Sequence, residues 1–179
     1  MDIKALQRPL RERYAADPEH APVTLTVRSA SSDQGDPLHC AISPDSVPAA
    51  RWESGAHEAV GGEGDAACSA DLLLASLAAC QEVTLRMVAA NQGIELEHVD
   101  VVVEGDWDPR GTLAMGREFP VGLTSIRCRT SVRVAGDVDE DRAARFLRSA
   151  ERYCVVLSTL RDAPPVESEF LLTSEAGAG

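Results

Sequence analysis

Asp71–Leu72–Leu73–Leu74–Ala75–Ser76–Leu77–Ala78–Ala79–Cys80 is an almost unbroken apolar run that keeps helical spacing as far as Asn91 and meets a glycine at Gly93. The spacing predicts a helix from about Asp71 to Asn91, with Leu73, Leu77, Cys80, Thr84, Met87 and Asn91 on one face. Leu72, Ala75, Ala79, Val83 and Ala90 cover much of the remainder, so the first half is apolar all round and should be buried on most sides. Ser69 is the expected N-cap, Asp71 complements the helix dipole, and Gly93 supplies the stop. Glu82 and Arg86 form an i,i+4 pair of favourable order in the second half.

Working outward, valine-rich Val99 to Asp106 reads as a strand, followed by a loop over 108–122 rich in Pro and Gly. Leu123 to Val134 is a second long strand, with Ile126, Cys128, Thr130, Val132 and Val134 on one face. Asp139 caps a helix from about Glu140 to Cys154 that points Ala143, Phe146, Leu147 and Ala150 inward. After Pro164–Pro165, Val166 to Leu172 is a final strand. On the other side, residues 2–16 are helical until Asp17–Pro18 stops them. Pro22–Arg28, Leu38–Ile42 and residues 51–57 form a strand meander. Strands in runs, separated by helices, indicate an α+β fold with antiparallel sheets around a long buried central helix that carries Cys80. The expected organisation is a helical extension over 1–20, one domain over 21–174 and a disordered tail over 175–179.

The chain has 179 residues, 44% of them hydrophobic, enough for a substantial core, but only 4% aromatic, so that core is built from Leu, Val and Ala. A net charge of −12 argues against binding a nucleic-acid backbone. The N-terminus lacks an apolar leader, and no apolar run reaches the ~18–20 residues that span a bilayer, so a cytoplasmic protein with no membrane partner is expected. Five widely spaced cysteines (Cys40, Cys68, Cys80, Cys128, Cys154) do not suggest a disulfide framework. No Cys-x-x-Cys or ligand-spaced His pair occurs, so no metal site is expected. Gly61–Gly62–Glu63–Gly64 lacks the features of a dinucleotide or phosphate loop, so no cofactor is expected.

Chemistry then rests on thiols. One buried cysteine in a helix is ordinarily packing; two that meet in a fold make a redox pair. Cys80 lies in the central helix, and Cys154 closes the later one and opens Cys154–Val155–Val156–Leu157–Ser158–Thr159–Leu160. Burial raises a thiol's pKa, so a nucleophilic Cys80 needs a cation nearby, and arginine is the expected one. Cys40 and Cys128 read as strand residues, Cys68 as an exposed thiol in the glycine-rich approach, and Trp52 and Trp107 as core filling or pocket lining. Gln81 and Glu82 point off the Cys80 face.

The Asp71–Cys80 run resembles the cysteine helix of the OsmC/Ohr family, and Tyr153–Leu160 resembles its second motif, usually Cys-Pro-Val-Ser-x-Thr-Leu. Glu104–Gly105–Asp106–Trp107 is similar to the strand after the central helix, and the likeness spans roughly Asp71 to Leu172. Ala70 stands where the organic-hydroperoxide-resistance branch has Glu, and Val155 and Leu157 where Pro and Ser are usual. The chain therefore resembles the broader OsmC-like branches. The resemblance implies an intertwined homodimer with sites near its interface. It implies that Cys80 attacks a hydroperoxide, for which the Leu and Met around Cys80 suit an organic one better than hydrogen peroxide, that Cys154 resolves the sulfenic acid, and that a dithiol such as dihydrolipoamide resets the pair. It also implies an activating arginine from the N-terminal strands, for which Arg28 and Arg51 are the candidates, with Glu53 able to orient one. The competing expectation is a non-enzymatic OsmC-like protein binding a small apolar ligand at the dimer interface; a redox sensor ranks last.

Overall fold

The computed structural model describes residues 2–30 and 33–172. Helix α1 (Ile3–Ala16) is followed by a short 3-10 turn at Pro18–His20. Strands β1 (Val27–Ser29), β2 (His39–Pro44) and β3 (Trp52–Gly55) form an antiparallel meander in that order. The 24-residue helix α2 (Ser69–Gln92) leads to β4 (Leu96–Asp106), a short α3 (Pro109–Thr112) and β5 (Ser125–Val134). Helices α4 (Glu140–Tyr153) and α5 (Val155–Arg161) complete the described elements. The architecture is mixed α+β with small antiparallel sheets.

Helix α2 starts two residues earlier than its spacing predicts. Cys68, not Ser69, occupies the N-cap, and its backbone N–H donates to the Asp71 carboxylate at 3.0 Å. Gly93 ends the helix in the left-handed region (φ 63°) and returns its N–H to Ala89 and Ala90, which a residue with a Cβ would do only under strain.

The core lies between α2, α4 and the β4–β5 ribbon. Leu85, Val88, Ala89, Ile94, Phe146 and Ala150 are buried together, with Leu96, Val99, Val132 and Val134 packed against them. The alternation read in β5 holds: Ile126, Cys128, Thr130, Val132 and Val134 face inward, while Arg127, Arg129 and Arg133 face out. Cross-strand charges reinforce the register, with Arg129 to Glu104 at 2.6 Å and Arg127 to Asp106.

Four expectations need correction. Helix α2 is not buried on most sides within one chain, because Leu73, Val83 and Met87 are exposed. It is, moreover, long and apolar enough by length and composition to cross a bilayer, a test that core helices also pass; here one face packs on β4, α4 and α5. Pro22–Thr26 is not strand, and β1 keeps only three residues. Val166–Leu172 is not strand either: among the described residues it pairs with no strand, and Val166, Phe170, Leu171 and Leu172 are exposed. Finally, the 108–122 loop hides α3, with Asp108 as N-cap and Pro109 at the first helical position. The tail expected at 175–179 lies outside the described residues.

The loop that delivers the chain into α2 is tied to β2. Gly62 packs so close to Ala56 that a Cβ would sit 1.7 Å from its carbonyl oxygen. The His39 imidazole bridges Asp36 (2.8 Å) and Asp65 (3.0 Å). Hydrogen bonds to Asp65, then Asp36, raise its pKa from 6.5 to about 9; His39 in turn lowers Asp65, and the Leu38 N–H, followed by His39, lowers Asp36. A group whose pKa rises on folding contributes fully below its unfolded value and loses that contribution as pH passes its folded one. The tie should therefore persist from above the carboxylate range up to about pH 6.5 and fade through pH 9. In an NMR titration the His39 ring is expected to have a midpoint near 9; a midpoint near 6.5 contradicts the bridge.

Candidate functional site

Cys80 stands midway along α2, and Thr84, one turn on, places its hydroxyl 4.0 Å from the sulfur. Cys154 sits at the break between α4 and α5. Its backbone is extended (φ −75°, ψ 105°), so the chain turns there before α5 begins. The first intrahelical bond of α5 runs from Ser158 N–H to Cys154 O at 3.0 Å. That leaves the N–H groups of Val155, Val156 and Leu157 without helical partners. The Val156 and Val155 N–H groups act on the Cys80 thiol and the Leu157 N–H on the Cys154 thiol. Val155 can take part because, unlike a proline at this position, it carries an N–H.

The two sulfurs are thereby made unequal. Burial opposes ionisation of Cys80, but the Val156 N–H, the Cys154 thiol, the Thr84 hydroxyl and the Val155 N–H all act on it. Together they hold its pKa below the ordinary thiol value. At Cys154 burial dominates and pushes the pKa up; the Leu157 N–H pulls it down, and Cys80 and Cys128 nearby push it further up. Cys154 is wholly buried and Cys80 half-buried, and both are free thiols. The arrangement can hold a thiolate at Cys80 with a protonated thiol beside it.

The other singled-out residues fall elsewhere. Arg28 lies on β1 and donates twice to Asp45, each at 2.9 Å. Arg51 donates to Glu53 at 2.9 Å, the carboxylate expected to orient it. Both are exposed, and neither is among the groups acting on the Cys80 thiol within the chain. Cys68, expected to be exposed, is buried under the start of α2. Cys40 lies half-buried on β2 and Cys128 half-buried on β5. Trp52 is exposed; Trp107 packs edge-on against His57 and donates to Val121 O at 3.2 Å, so it holds a loop. Glu82 pairs with Arg86 at 2.5 Å on the outer face. Gln81 instead faces inward, into a cavity of about 530 Å³ between α2, β5, α4 and α5 that Leu77, Leu85 and Leu157 also line.

Sequence reasoning missed the Val155 and Val156 amides and the Thr84 hydroxyl. Thr84 was legible as a polar residue one turn after Cys80. The amides had a fainter signal: β-branched Val155 and Val156 follow a helix that carries its apolar stripe only as far as Ala150.

Residues 62–169 match the family described as OsmC-like protein. Among solved structures, the chain is similar to an OsmC-like protein from Mycoplasma pneumoniae, at 15% identity over 79% of this chain and 89% of that one, with a TM-score of 0.59. It is similar to an organic hydroperoxide resistance protein from Elizabethkingia anophelis, at 16% identity over 80% and 91%, with a TM-score of 0.56. A third, an organic hydroperoxide resistance protein OsmC from Legionella pneumophila, is 19% identical over 79% and 92%, with a TM-score of 0.52. At such identities the likeness establishes the fold. No curated protein matches the sequence significantly.

Proposed function

Since the chain belongs to the OsmC-like family, we infer that it is a thiol-dependent peroxidase acting on organic hydroperoxides. The observation that carries this reading is the unequal thiol pair, in which backbone amides at the start of α5 favour the thiolate at Cys80 while burial keeps Cys154 protonated. Relatives of the same fold are named as organic hydroperoxide resistance proteins, which agrees with it.

The Cys80 thiolate attacks the outer oxygen of the hydroperoxide. The S–O bond forms as the O–O bond breaks, and the alkoxide leaves and takes a proton to become the alcohol. Cys80 is then a sulfenic acid. Cys154 attacks its sulfur, water leaves, and a Cys80–Cys154 disulfide forms. An external dithiol such as dihydrolipoamide resets the pair by thiol–disulfide exchange, becoming oxidised itself. The sum is hydroperoxide plus dithiol giving alcohol, water and the cyclic disulfide. Cytoplasmic reducing conditions suit this cycle.

The working unit in this reading is a homodimer. Its support is the apolar surface one chain leaves open: Leu73 and Met87, each seven residues from Cys80 on one stripe, with Val83 beside them, and the exposed Val166–Leu172 segment. Covering that stripe would surround Cys80 with apolar walls suited to an alkyl hydroperoxide. Arg28 or Arg51 is assigned the guanidinium that polarises the peroxide. The test is turnover of cumene hydroperoxide with dihydrolipoamide, followed as alcohol formed. Cys154→Ser is expected to give a single burst of alcohol and then stop, with sulfenic acid trapped on Cys80. Sustained turnover by that variant, or no alcohol from the unmodified protein, contradicts the reading.

A further inference from the structure

Five of the 17 basic residues fall on α4 and α5: Arg142, Arg145, Arg148, Arg152 and Arg161. Arg142 is engaged at the end of α2, where it donates to Gln92 O (2.9 Å) and Gly93 O (3.2 Å). Arg161 is paired with Glu151 at 2.6 Å. Arg145 and Arg148 have no hydrogen-bond or ion-pair partner among the described residues, and Arg152 only approaches the Tyr153 ring, at 5.7 Å.

These side chains line one concavity. A cleft of about 690 Å³ is walled by Arg145, Arg148, Arg152 and Arg161, with Ser149 and Tyr153 between them. Its one carboxylate, Glu151, is the one neutralised by Arg161. Three guanidinium charges therefore face the cleft uncompensated, in a chain whose net charge is −12. Arg145, Arg148 and Arg152 follow i, i+3, i+7 spacing, so they share a helix face and span roughly 10 Å along it.

We propose that this cleft binds a small polyanion, one carrying a pyrophosphate or equivalent pair of adjacent phosphoryl groups. The volume is that of a site for one small molecule. Guanidinium forks match phosphoryl oxygens two at a time, and their long stems can converge on neighbouring groups. A single monoanion would leave most of the charge unmatched. The concave shape favours a small ligand over an acidic protein surface. The proposal is independent of the peroxidase reading, since none of the cleft residues acts on the Cys80 thiol.

Calorimetric titration of the full chain with inorganic pyrophosphate tests it. Saturable binding of about one pyrophosphate per chain is expected, weakening as salt rises. The Arg145→Gln/Arg148→Gln variant should bind about tenfold or more weakly, since two charge-assisted contacts are lost. Both positions are exposed, so the fold should survive, and an unchanged melting temperature without ligand checks this. Arg117→Gln removes an exposed arginine elsewhere and should bind as the unmodified chain does. Absence of saturable binding, equal binding by the double variant, equal weakening by Arg117→Gln, or binding of an acidic peptide in preference to pyrophosphate each overturns the proposal.

Discussion

Cys80→Ser is expected to lower hydroperoxide turnover by about three orders of magnitude or more, to the uncatalysed level. The sulfur is the atom that accepts oxygen, and a serine hydroxyl neither ionises near neutral pH nor forms a stable bond of the sulfenic kind. The site amplifies this difference. The N–H groups of Val156 and Val155, the Cys154 thiol and the Thr84 hydroxyl lower the cysteine pKa against the opposing effect of burial. They cannot bring an alcohol into the same range. The substitution is nearly isosteric in a half-buried position, so the fold should be kept. Steady-state assay beside a denaturation curve separates the two. A variant that folds and still turns over at more than about one-tenth of the original rate would move the reactive thiol elsewhere.

Phe146→Ala should cost about 3–5 kcal/mol of unfolding free energy, near the upper part of that range. Phe146 is 2% exposed and lies on α4 among Leu85, Val88, Ala89, Ile94 and Ala150. Two of these neighbours are alanines with no side chain to swing into the void, so the cavity would persist. With so few aromatic residues, the chain has little else of that size in its core. Chemical denaturation measures the loss, and a change under about 1 kcal/mol would mean that α4 does not pack as described. The effect should extend to the thiols, because α4 runs directly into the Cys154 break. A shifted helix would misplace the Val155 and Val156 amides and raise the Cys80 pKa.

The parts of the molecule legible in the sequence are those specified by local pattern. The apolar run of α2, the glycine that ends it, the valines of β4, the alternation of β5 and the Asp139 cap of α4 all depend on residues a few positions apart. The parts that escaped depend on the rest of the chain. Val166–Leu172 has strand composition, but a strand also needs an edge to pair with, and among the described residues it finds none. Pro22–Thr26 falls short for a related reason: β1 meets β2 only from Val27 to Ser29. Cys154 reads as the last residue of a helix because nothing local marks the break. Only the fold shows that this break turns the α5 amides toward the thiols. Helix α2 is less buried than its pattern suggests, since an all-round apolar helix states what must be covered and not whether its own chain covers it.

Whether Cys80 and Cys154 form one redox pair is decided by peptide mapping. Fully reduced protein is given one equivalent of cumene hydroperoxide, quenched with an alkylating agent and digested. Rapid conversion to peptides joined by a Cys80–Cys154 disulfide is expected, with Cys40, Cys68 and Cys128 alkylated as free thiols. Recovery of Cys80 and Cys154 as free thiols, or a disulfide joining other cysteines, would contradict that pairing.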